Sequence, residues 1–179
     1  MKKAKVVAVI ALAVSLLGCT QAEITQPPIT VTPKDQANAS GLDVYARQRS
    51  RGNPVPAFRG QNTVQVRTWG ATEGSSRAEL SGVQCNLDSG VYTASFTTPA
   101  NIIVPDYGPN SPALFVRCTA GATSGSVTAS VVNMTAQQRN ASAAGTGLLG
   151  AIIIGAVNEA NRDNLNDDFG YNVIVVQLR

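Results

Sequence analysis

Histidine does not occur anywhere in the 179 residues. Its absence removes the side chain that most often acts as general base, triad member or metal ligand. An enzyme would have to work from Ser or Asp alone, and nothing in the sequence places Asp163, Asp167 or Asp168 in a pocket. The chain therefore reads as a non-enzyme without cofactor or metal. Lysine is nearly missing too: Lys2, Lys3 and Lys5 lie at the start and Lys34 is the fourth. The formal charge of +3 comes from those first three lysines, since without them eleven basic residues meet eleven acidic ones. A neutral remainder lacks the concentrated basic surface that nucleic acid requires. Long apolar runs are absent as well: neither Val6–Leu17 nor the Gly-rich stretch 143–157 reaches the about 20 residues a spanning helix needs.

What is present begins with those lysines, the apolar run behind them, and Leu16-Leu17-Gly18-Cys19. A basic start, a short apolar core and a small residue before a cut site define an export signal. The Cys directly after Gly18 resembles the bacterial lipobox. That resemblance implies a lipoprotein signal peptide over residues 1–18 and an acylated Cys19 as the mature N-terminus, with membrane lipid as its partner. Each buried CH₂ of such an anchor contributes about 0.8 kcal/mol, so attachment is expected to be practically permanent. Thr20 stands where inner-membrane-retained lipoproteins typically carry Asp. The resemblance thus favours the periplasmic face of the outer membrane.

With Cys19 assigned to lipid, Cys85 and Cys118 remain in an oxidising compartment and are expected to be bonded to each other. Closing that loop stabilises a fold by about 3–4 kcal/mol on the chain-entropy model. A reactive thiol pair would need CxxC spacing or a nearby base, and neither occurs.

Residues 19–60 carry Pro27, Pro28, Pro33, Pro54 and Pro56 and read as a lipidated N-terminus with a Pro-rich tether. Ile29–Thr32 and Leu42–Tyr45 have β-like composition, so part of the tether could lie along the domain as an edge segment. From Val44 to Thr72 the chain has no acid but holds Arg47, Arg49, Arg51, Arg59 and Arg67. The plain reading is a solvated loop. The sharper one is contact with an anionic surface, glycolipid or cell-wall polymer, because guanidinium forks suit phosphate and carboxylate.

Residues 61–179 then form the domain. Short runs of Val, Ile, Thr and aromatics separated by Gly, Pro, Asn and Ser predict strands near Asn62–Trp69, Arg77–Leu87 with Gly82 as a bulge, Val91–Thr97, Asn101–Val104, Leu114–Cys118 and Ser126–Asn133. Asp88-Ser89-Gly90 and Pro105–Pro112 supply turn chemistry. This spacing argues a mainly β fold, a small antiparallel sandwich. The segments Gly82–Leu87, Thr97–Ala100 with Ile103–Pro105, and Leu114–Cys118 resemble small proteobacterial envelope proteins with a PEGA-like sandwich, although the Pro-Glu-Gly-Ala tetrapeptide is absent here. The resemblance implies an extracytoplasmic binding or scaffold module.

Residues 143–157 resemble a glycine zipper. Gly147, Gly150 and Gly155 put small residues along a helix surface and permit close packing, so one Gly-rich helix is expected at about 143–165, before the last strand. It is read either as a core helix, as an interfacial one, or as a site of self-association or of contact with an envelope protein partner. Asn164, Asn166 and Asp168 fit a calcium loop poorly, because Gly170 comes one place late and Val175 stands where a bidentate Glu belongs. Asn172–Leu178 is apolar on both faces and predicts a central final strand. Two functions follow as expectations: an accessory or scaffold lipoprotein of the envelope, or a binding protein for cell-wall polymer or anionic glycolipid.

Overall fold

In the computed structural model, residues 21–143 and 163–179 are described. Cys19, Gly147, Gly150 and Gly155 lie outside them, as does most of the expected Gly-rich helix. The first strands are β1 (Ile29–Thr30) and β2 (Thr32–Pro33), followed by a short helix, α1 (Ala46–Ser50). Then come β3 (Gly60–Thr72), β4 (Ser75–Leu80), β5 (Val83–Asp88), β6 (Tyr92–Thr98), β7 (Ala100–Asp106), β8 (Leu114–Ala120) and β9 (Thr123–Ala129). After β10 (Val132–Asn133) and α2 (Met134–Ala143), the chain ends with β11 (Phe169–Gly170) and β12 (Ile174–Gln177).

Two five-stranded sheets face each other, one in the order β1-β7-β3-β12 with β4 also on β3, the other β2-β6-β5-β8-β9. Period-2 alternation builds the layer between them. Val64, Val66 and Thr68 point in from β3, Val83, Cys85 and Leu87 from β5, Tyr92, Ala94 and Phe96 from β6. Ala100, Ile102 and Val104 come from β7, Leu114, Val116 and Cys118 from β8. The fold is thus the expected small β-sandwich. Cys85 stands directly opposite Cys118 on the neighbouring strands β5 and β8, and the disulfide is formed across a Cα separation of 4.1 Å.

The ends of the described chain bridge the two sheets on both sides of the sandwich. On one side β1 pairs with β7 and, one residue later, β2 pairs with β6, so a single extended stretch bonds to both sheets. Val31 N–H bonds to Ile103 O at 3.1 Å and Lys34 N–H to Val91 O at 2.9 Å. On the other side β12 pairs parallel with β3, and beyond it Ser124 and Arg179 exchange two backbone hydrogen bonds of 3.0 and 3.1 Å. The sandwich is therefore a flattened barrel joined at both sides, with β4 paired to β3 alone and two parallel pairings in an otherwise antiparallel structure.

Three expectations change. The stretch read as a tether is built into the domain, and not only along its edge: β1 and β2 are the edge strands that Ile29–Thr32 suggested, but Val31 and Val44 are core residues. Arg77–Leu87 is not one bulged strand, because the chain leaves β4 at Ser81-Gly82 and enters β5 in the other sheet. Gly82 has φ +74° there, a conformation open to Gly and strained for other residues. The last strand buries one face only: Ile174, Val176 and Leu178 point inward while Val173 and Val175 are exposed. The Gly-rich helix expected at about 143–165 falls mostly outside the described residues, which show α2 ahead of it and a turn at residues 164–166.

Closure leaves no room at one point. A Cβ on Gly125 of β9 would stand 2.1 Å from the backbone oxygen of Gln177. Gly125→Ala is therefore expected to destabilise the fold by about 1–3 kcal/mol through forced displacement of the last strand. A urea titration reads this as a lower midpoint, and an unchanged midpoint would show that β12 does not seat against β9 this closely.

Candidate functional site

The five arginines expected to face an anionic surface do not form one patch. Arg67 alternates outward from β3, yet it is only 5% exposed. Its guanidinium pairs with Glu79 of the adjacent β4, bonds to Gln65 Oε1 at 3.0 Å and donates to the carbonyl of Ala22 at 3.0 Å. Glu79 Oε2 in turn accepts the Ala22 N–H at 2.9 Å. The pair therefore holds both backbone groups of one residue in the segment ahead of β1.

Arg49 is also used internally. It pairs with the buried Asp43 at 2.6 Å and donates to the carbonyl of Pro56. Asp43 further accepts the Tyr45 N–H at 3.2 Å and the Tyr107 hydroxyl at 3.3 Å, while that hydroxyl accepts the Val44 N–H at 2.8 Å. Burial pushes the Tyr107 hydroxyl well above the ordinary tyrosine range. The rings of Tyr45 and Phe58 meet Tyr107 edge-on at 5.1 and 5.9 Å, so this network fixes residues 43–58 onto the barrel.

Arg47, Arg51 and Arg59 remain exposed. Arg59 leads into β3 at the mouth of a cleft of about 580 Å³, lined by Tyr107, Asn110, Asn164 and Leu165 among others. Its guanidinium donates to the carbonyls of Asp167 at 2.9 Å and Asn164 at 3.4 Å and lies 5.8 Å from the centre of the Phe169 ring. Behind it, Asp167 accepts from Asn133 at 2.7 Å and from Arg139 at 3.3 Å. The Asn133 hydrogen bond, ahead of every other influence, holds the Asp167 carboxyl below the usual range. Chemically the cleft offers a cation and side-chain amides, which suit an anionic or carbonyl-bearing group.

The turn at Asp163 spends its carboxylate on its own amides, accepting from Leu165 N–H at 2.9 Å and Asn166 N–H at 3.1 Å. No group of three or more Cys, Asp or Glu side chains among the described residues is arranged to hold a metal ion. No helix among them is long and apolar enough to cross a membrane. The residues that organise this surface and that the sequence gives no sign of are Ala22, Asp43, Glu79 and Tyr107. Only the alternation of β3, which puts Arg67 on the same face as Gln65 and Trp69, hints that an acid must lie across from it.

No family model matches the chain, and neither does any curated protein or solved structure.

The two kinds of arginine separate by experiment. Arg67→Ala strands Glu79 in a buried position and is expected to cost about 3–5 kcal/mol, whereas Arg47→Ala and Arg51→Ala should stay within about 0.5 kcal/mol. Thermal or urea unfolding of the three variants checks this. Equal, small losses would return Arg67 to the solvent-facing set.

Proposed function

We propose that the protein is a membrane-anchored envelope lipoprotein whose β-sandwich acts as a non-enzymatic accessory or scaffold module, displayed from the periplasmic face of the outer membrane. The observation that carries this is the meeting of two features. A lipobox-like Leu16–Cys19 ends three residues before Ala22, and Ala22 is already tied into the folded module through Arg67 and Glu79. Anchor and domain are then nearly contiguous, as suits a part whose task is to hold a surface at the membrane. The likeness to PEGA-like envelope modules points the same way. Charge supports it too, since Arg49, Arg67, Asp43, Glu79 and Asp167 serve the structure.

A second reading has its own observation. Arg59 stands exposed at the cleft with Asn110 and Asn164, and this arrangement suits a phosphate or carboxylate of a cell-wall polymer or anionic glycolipid.

Cys19→Ala is expected to abolish fatty-acid labelling and leave an unprocessed precursor in membranes; normal maturation of that variant removes the anchor from the proposal. Crosslinking in intact cells from Val173, exposed just ahead of β12, is expected to trap a discrete envelope protein with the lipidated form. For the polymer reading, the protein should co-sediment with purified sacculi and Arg59→Ala should weaken that binding. Co-sedimentation that is indifferent to Arg59 would leave the cleft without this role.

A further inference from the structure

We infer that the β3–β4 hairpin end of the barrel rests against the bilayer surface, with Trp69 and Arg77 among the lipid headgroups. The inference rests on the lipid-anchor reading of Cys19 and adds an orientation to it. The direction of the N-terminal segment supplies the first step. β1 runs parallel to β7 with Ile29 beside Ile102, and β7 runs antiparallel to β3 with Ile102 beside Val64. Following the chain backwards from Thr30 therefore means moving towards higher numbers along β3. Gln26 marks that path by donating its side-chain amide to the carbonyls of Thr97 at 2.6 Å and Pro99 at 2.8 Å. Ala22 continues it, bonded at Arg67 and Glu79, past the point where β7 ends. The path leads to the β3–β4 turn.

Reach supplies the second step. Cys19 precedes Ala22 by three residues, and a fully extended chain covers about 3.3–3.6 Å per residue. The acylated residue must then lie within about 11 Å of Ala22. An anchor this short cannot let the domain turn its other end to the membrane.

The surface at that end has the chemistry for it. Trp69 sits opposite Glu79 on the outer face, half-buried, and the Arg77 guanidinium lies 5.5 Å from the centre of its ring. An indole beside a guanidinium, one amphipathic and the other able to reach phosphate, suits the interfacial zone of a bilayer. Residues 71–75 of the turn are all exposed. Glu73 lies in the β3–β4 turn and Glu23 follows Ala22 at the same end, so the surface is not polybasic. Its contact is set by the anchor rather than by attraction to anionic lipid, and neutral phosphatidylcholine should suffice.

Trp69 is the single tryptophan of the chain, which makes the test direct. The full-length lipidated protein is reconstituted into phosphatidylcholine vesicles, with and without headgroup-spin-labelled phosphatidylcholine, and floated on a density gradient. Trp69 emission from the floated fraction is expected to fall on the labelled vesicles. A second reporter, Trp69→Phe combined with Phe115→Trp, moves the indole to an exposed site on the other sheet. That site is opposite Asp88, near the β5–β6 turn and at the far end of the barrel. Its emission should be unchanged by the label. Floated protein whose Trp69 is not quenched, or whose two reporters are quenched alike, overturns the orientation while leaving the anchor intact. Protein that does not float overturns the anchor, and the orientation falls with it.

Discussion

A strand at the edge of a sheet presents a row of N–H and C=O groups that must find partners or face water. Here the two ends of the described chain each bond to a strand of both sheets, while β4 pairs with β3 alone. The segment Ile29–Lys34 bonds to β7 and then to β6. The segment Ile174–Arg179 bonds to β3 and then to β9. Everything else follows from that closure. The disulfide ties β5 to β8 within one wall, the core fills the space between the walls, and the loops have fixed points of departure. Because closure uses residues far apart in the chain, it forms only when the whole fold forms.

The N-terminal segment is kept in place by an arrangement that only makes sense in a folded protein. Burying Arg67 and Glu79 costs several kcal/mol per charge, which their attraction offsets only when the remaining hydrogen bonds are also made. Gln65 and both backbone groups of Ala22 complete the set. The ion pair is thus less a source of net stability than a fixture that selects one position for the chain ahead of β1. Asp43 does the same further on, where Arg49, Tyr45 and Tyr107 meet it at the edge of the barrel. Two buried acids therefore determine the course of the stretch that composition alone describes as a linker.

That contrast shows what the sequence makes legible. Val64 and Val66 against Gln65 and Arg67 announce β3, and runs of Val, Ile, Thr and aromatics locate β6, β7 and β8 to within a few residues. The Cys85–Cys118 bond follows from counting and compartment. Prolines mislead in the other direction: Pro33 is itself a ladder residue on the edge strand β2, where its missing N–H does no harm. Strands of two residues are below the length at which a period can be seen. Gly82 reads equally as a bulge or as a change of sheet, and only the partner strands decide. The arginines are the hardest case, since an acid-free stretch of sequence is not an acid-free surface. Arg59 finds its acceptors more than a hundred residues away, at Asn164 and Asp167.

Closure also limits how the molecule can engage anything else. Partners that add a strand to an exposed edge use unpaired backbone groups, and among the described strands β4, paired with β3 alone, keeps such an edge. Elsewhere contact runs through side chains on the walls or through the loops. On the walls, Phe115, Val173 and Val175 are the large apolar side chains left exposed on described strands. Phe115 stands on one sheet and the two valines on or beside the last strand of the other. The cleft at Arg59 is the polar counterpart, built from loops that the same closure holds still. A module of this kind recognises by shape and placed groups rather than by folding onto its partner.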